Sequence, residues 1–214
     1  MTLLLLTQLL SLLALGFCLA AFALRMRTFF RLAAPKDRSL PKGDSQAGVA
    51  YALTLGMMPW AKESTRRHAL AYLRGVGFHL AVFLGLGVYL ASPWLEQVPD
   101  PARLGLAVLI GFGFVLAFLG FISRFAEKSL KALSLPDDYF AVLLVSLFLA
   151  SAAAMLLNLS LLPMYYTLSA LLFVYMPLGK IRHCIYFAFA RIFFGRFFGR
   201  RAVLPHQQQK EAVA

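Results

Sequence analysis

The sequence predicts an all-α integral membrane protein built as a bundle of five transmembrane helices. Three observations predict it. The 214-residue chain is 61% hydrophobic and only 14% charged, whereas soluble globular domains carry about 25% charged residues. Several apolar runs exceed the ~18–20 residues that a helix needs to cross a bilayer. The runs are continuous, whereas the strands of a membrane barrel alternate apolar and polar positions. Inside lipid the backbone must satisfy its own hydrogen bonds, so continuous spans are helices.

Span one covers about residues 3–24. No Lys or Arg precedes its long apolar run, so it is a poor secretory signal. Arg25, Arg27 and Arg31 follow it, which puts the N-terminus outside and the first loop inside. That loop, about 25–68, carries nine Lys and Arg against Asp37, Asp44 and Glu63, and Pro35, Pro41 and Gly43 break its first half. Residues 48–60 are apolar but too short to span. Met57-Met58-Pro59-Trp60 closes this stretch, and it reads as a segment lying in the membrane interface.

Span two covers about 70–94 and holds Arg74, Gly75, Gly77 and His79; a short loop with Glu96 and Asp100 follows. Span three covers about 103–122. Arg124, Lys128 and Lys131 mark the next loop. Span four covers about 139–159. Pro163 marks a tight uncharged turn before span five, about 165–182. The tail, 184–214, repeats aromatic pairs with arginine (Arg191, Phe193-Phe194, Arg196, Phe197-Phe198, Arg200-Arg201) and reads as a basic amphipathic cytoplasmic segment. There are no internal repeats, and residues 1–214 read as a single membrane domain.

The formal net charge is +12. The cations sit in loops beside apolar spans, so membrane topology accounts for them. With five spans, 20 of the 21 Lys and Arg fall on one side and only Arg103 on the other. Such asymmetry sets N-terminus outside and C-terminus cytoplasmic. The arginine–aromatic tail has the texture of a single-strand nucleic-acid binder, but five spans argue against nucleic acid. Cys18 and Cys184 belong to no CxxC pair, so no zinc or iron–sulfur motif is present. They read as small apolar groups.

Among four histidines, His68 lies in a charged loop end and His206 in the polar tail. His79 differs because it sits inside an apolar span, where an ionisable residue marks a functional site. It lies five residues past Arg74, about 7 Å of helical rise from the inner face. His183 follows Pro177-Leu178-Gly179-Lys180-Ile181-Arg182 at the exit of span five. Opposite span directions bring both histidines to one depth near the cytoplasmic leaflet. Two neutral imidazoles from different helices suit the axial positions of a haem iron. Arg74, Lys180 and Arg182 share that depth and suit haem propionates, or else snorkel to headgroups.

Three blocks then resemble the haem b gamma subunit of respiratory nitrate reductase and its relatives, which include the membrane cytochrome subunits of sulfate-reducer complexes and of heterodisulfide reductase. They are Phe78-His79-Leu80, the cationic loop ending Leu135-Pro136-Asp137-Asp138, and Pro177 to His183. The resemblance covers about 70–183 and rests on the combination. It implies that His79 and His183 ligate the haem nearer the cytoplasm. Dihaem members carry an outer pair of histidines as well; Tyr89 and Tyr165 stand near those places here. One haem b on the inner side is therefore expected.

The resemblance also implies the activity: an electron-transfer subunit that serves an oxidoreductase complex and catalyses nothing alone. It would pass electrons between the quinone pool (menaquinone or ubiquinone) and a cytoplasmic iron–sulfur protein, heterodisulfide-reductase-like or ferredoxin-like, in a bacterial or archaeal cytoplasmic membrane. The basic loop and tail would meet that partner or anionic lipid. Tyr89, Arg103 and Tyr165 are the candidates for an outer quinone pocket. The alternative is a haem-free anchor that docks a soluble redox subunit. A transporter fits poorly, because the span interiors lack acidic residues and no inverted repeat appears.

Overall fold

The computed structural model describes residues 2–32, 38–61 and 63–204. His206, Pro35 and Asp37 lie outside them. The described residues are predominantly helical and contain no strand. Among the described residues nine α-helices occur in order: α1 Leu3–Arg31, α2 Ser45–Leu53, α3 Glu63–Arg67, α4 Ala69–Ala91, α5 Asp100–Ala126, α6 Lys128–Leu133, α7 Pro136–Leu157, α8 Leu162–Tyr175 and α9 His183–Arg200. Four of them (α1, α4 with its following turn, α5 and α7) are long and apolar enough to cross a membrane. A fifth is reached if α8 and α9, joined by a short break, count as one span. The protein is thus a multi-pass membrane protein by length and composition.

Local chemistry sets the ends. Pro136 occupies the first turn of α7 and Pro101 that of α5, where the missing N–H costs nothing. The Asp138 carboxylate reaches back to accept from the Leu135 backbone N–H at 2.9 Å. Asp44 caps α2 by accepting from Gln46 N–H at 2.7 Å, as short polar residues do at helix starts. Asn158 ends α7, and its side chain accepts from Ser160 N–H.

The chain forms two compact units. Unit one comprises Met1–Arg25 and Leu73–Ile181; unit two comprises Met26–Tyr72 and the chain from Arg182 onward. In unit one, α7 is the central helix. Of its apolar window 56% is buried inside the protein, against 22–28% for α1, α4 and α5. Those three therefore keep most of their apolar surface for lipid. Helix α7 packs along α5 and α8, and its Phe148, Leu149, Ala152 and Met155 are fully buried. Helices α4 and α5 meet where a Cβ on Gly113 would lie 1.9 Å from Ala81 Cβ, a small-residue contact of the kind that joins membrane helices.

Unit two is held by a crossing of α2 and α9. Gly48 on α2 faces Gly195 and Gly199 on α9. A Cβ on Gly48 would lie 2.2 Å from the Gly195 carbonyl oxygen and 2.6 Å from Gly199 Cα. Gly195 and Gly199 form a GxxxG spacing, which lets two helix backbones touch. The Arg191 guanidinium donates to the Ala52 carbonyl, and the Lys42 and Gly43 N–H groups donate to the Arg200 carbonyl. The end of α1 joins through Phe29 and Phe30, whose rings pack on Phe189 at 5.5 and 5.3 Å. The described part of the long first loop therefore carries helices of its own, and it shares one unit with the C-terminal helix.

Candidate functional site

His79 stands on α4, exposed on unit one. Its Nδ1 lies 2.7 Å from the Gly75 carbonyl oxygen one turn earlier. A carbonyl only accepts, so Nδ1 carries a proton in this contact, and in a neutral imidazole the lone pair then lies on Nε2. That is the tautomer of a metal-ligating imidazole whose second nitrogen is oriented by the backbone. Beside it, a Cβ built on Gly75 meets no atom within 4 Å, so this face of α4 is open to a flat group. The Phe78 ring stands edge-on to the imidazole at 5.0 Å. These features fit a haem ligand.

His183 opens α9 and is exposed in unit two. The two histidines thus belong to different units. Two of the three cations expected near propionates hold protein partners in unit one. Arg74 Nη1 donates to Ser123 Oγ on α5 at 3.1 Å. Lys180 Nζ pairs with Asp138 Oδ2 at 2.5 Å. Arg182 is exposed and makes no side-chain cap at α9.

Two of the three blocks that carry the resemblance meet at the start of α7. Tyr175 OH donates to the Asp137 carboxylate, Lys180 pairs with Asp138, and the Phe140 and Tyr175 rings pack at 4.8 Å. Gly179 allows this, because a Cβ there would lie 2.1 Å from the Tyr175 ring. Leu135–Asp138 is therefore both a helix start and the anchor for the end of α8. The sequence signal was present as a proline-led acidic first turn, but nothing in it named Tyr175 as the partner.

The outer candidates separate. Tyr89 and Tyr165 are buried in the core of unit one. Tyr89 OH and Ser11 Oγ share a hydrogen bond of 2.8 Å. Tyr165 OH donates to the Gly85 carbonyl at 2.7 Å, and Tyr166 OH donates to Ser92 Oγ at 2.9 Å. The rings of Tyr89, Tyr165 and Tyr166 pack within 6.0–6.2 Å of one another. Every hydroxyl in this cluster has a protein partner, and the rings fill the space between α4, α7 and α8. Arg103 instead borders an open cleft of about 410 Å³ with Asp100, Leu104, Leu156 and Leu157. It pairs there with Asp100. Neither Tyr89 nor Tyr165 lines that cleft, so the three do not make one pocket. Sequence reasoning missed Ser11, a small polar residue in an apolar run whose role depends on which helix faces it.

No protein-family model, curated protein or solved structure matches the chain.

Proposed function

We propose that the protein is a haem b-carrying membrane subunit of a respiratory redox complex, passing electrons between a membrane quinone and a cytoplasmic iron–sulfur protein in a prokaryotic inner membrane. The observation that carries this reading is His79. An ionisable side chain inside an apolar span is costly to place and marks a functional site by default, and this imidazole is oriented by its Nδ1 contact with the Gly75 carbonyl.

His79 and His183 would hold the iron through neutral imidazole nitrogens. Bound haem b supplies a one-electron iron couple. The chain's own part is to fix the His79 tautomer through its helix backbone. The open surface at Gly75 leaves room against α4. The Lys180 charge is met by the Asp138 carboxylate, whereas Arg74 donates to a neutral hydroxyl and Arg182 is exposed, so these two would serve the propionates.

The test is a pyridine haemochrome spectrum of protein purified from a haem-replete host. A haem b spectrum is expected, with His79→Ala and His183→Ala each abolishing it and His68→Ala leaving it intact. Purified, folded protein without a Soret band would overturn the proposal in favour of a haem-free anchor.

A further inference from the structure

Unit two gathers charge. Its chain segments contain 14 of the 21 Lys and Arg and four of the nine acids, a formal +10 of the chain's +12. The chain passes between the units three times, after Arg25 in α1, after Tyr72 in the first turn of α4 and after Ile181 just before α9. Three covalent links thus join this basic unit to the apolar helices of unit one.

The glycine crossing decides which side of α9 is turned away from α2. At 100° per residue, Gly195 and Gly199 share one side of the helix. Phe193 and Phe197 fall opposite, with Arg196 and Arg201 flanking them. The exposures agree: Gly195 and Gly199 are buried, Phe193 is 57% exposed and Phe197 36% exposed. The two rings stack at 6.1 Å, and the Arg201 guanidinium lies 3.6 Å from the centroid of Phe197. Aromatic rings rimmed by guanidinium groups on one helix face suit the headgroup zone of a bilayer. There the rings enter the acyl boundary and the cations meet phosphates.

We propose that this face of α9 binds anionic phospholipid, so that unit two lies on the membrane as an interfacial platform. Charge decides the occupant: a unit carrying +10 is drawn to an acidic leaflet within a Debye length, and the tethers hold it there. An acidic protein is the competing occupant, and the test separates the two. The proposal does not depend on haem.

The experiment uses the full chain in nanodiscs of phosphatidylcholine alone or mixed with phosphatidylglycerol. Trp60→Phe and Trp94→Phe remove both native tryptophans, and Phe193→Trp adds a single probe on the face. The expected result is blue-shifted emission that brominated lipid quenches and aqueous acrylamide does not, more strongly with phosphatidylglycerol present. Arg196→Gln together with Arg201→Gln should erase the dependence on phosphatidylglycerol, with helical circular dichroism reporting that the variant is folded. Emission quenched by acrylamide and untouched by brominated lipid in both discs would overturn the proposal and assign the face to a soluble partner. Equal lipid quenching in both discs would overturn the role of the arginines.

Discussion

Gly48→Ala puts one methyl group into the α2–α9 crossing. The new Cβ would lie 2.2 Å from the Gly195 carbonyl oxygen, 2.6 Å from Gly199 Cα and 3.1 Å from the Gly195 carbonyl carbon. A carbon needs about 3.5 Å or more from such atoms, so the helices must separate by roughly an ångström. The obstructing atoms are backbone and cannot rotate away, so the upper part of the ~1–3 kcal/mol range for overpacking applies. Alanine returns about 1 kcal/mol through its better helix propensity. A net loss of about 1–2 kcal/mol remains, which is a factor of roughly 5–30 in the local opening equilibrium. Hydrogen exchange of the full-length protein reads this directly. The amides of residues 49–53 should exchange faster by that factor, while those of α7 stay unchanged. Gly16→Ala and Gly87→Ala are the controls, since a Cβ at either meets nothing within 4 Å. Unchanged exchange in α2, or an equal rise in the controls, would refute a glycine-mediated crossing.

Three further outcomes are expected from unit one, all readable as thermal midpoints in detergent. Tyr89→Phe removes a buried hydroxyl from its bond with Ser11; because Ser11 also bonds the Gln8 carbonyl, no partner is stranded and the cost should be about 1 kcal/mol. Tyr175→Phe strips the half-buried Asp137 carboxylate of its hydroxyl donor and should cost about 1–3 kcal/mol, in the range for bonds to charged groups. Lys180→Ala removes an ion pair whose lysine is 42% exposed, so it should cost no more than about 1 kcal/mol and less still in high salt. An equal loss from the tyrosine and lysine variants would contradict the ranking of these two contacts.

Much of the bundle was legible because lipid imposes a simple rule. Apolar runs of sufficient length must be helices, and α1, α4, α5 and α7 stand where the hydropathy puts spans one to four. The fifth span was less legible. Helix α8 ends at Tyr175, since Pro177 and Gly179 interrupt it, and only a pairing with α9 makes up the length. His79 was visible as an ionisable residue out of place in an apolar run. Its tautomer was not, because that depends on where the Gly75 carbonyl points. Tyr89 and Tyr165 looked like polar side chains available to a ligand. The structure spends both hydroxyls on Ser11 and on the Gly85 carbonyl.

By itself the sequence determined the material of the protein: apolar helices of spanning length, breaks at proline and glycine, and cations collected in the first loop and the tail. These follow from composition and local backbone chemistry, which act over a few residues. Tertiary structure alone decided which distant segments touch. Gly48 and Gly195 are 147 positions apart in the sequence, and nothing local in either says that their backbones meet. The same holds for Tyr175 over Asp137 and for Ser11 against Tyr89. Each such contact is made by small or short-reaching groups whose effect depends on ångström-scale proximity, and proximity between distant segments belongs to the fold.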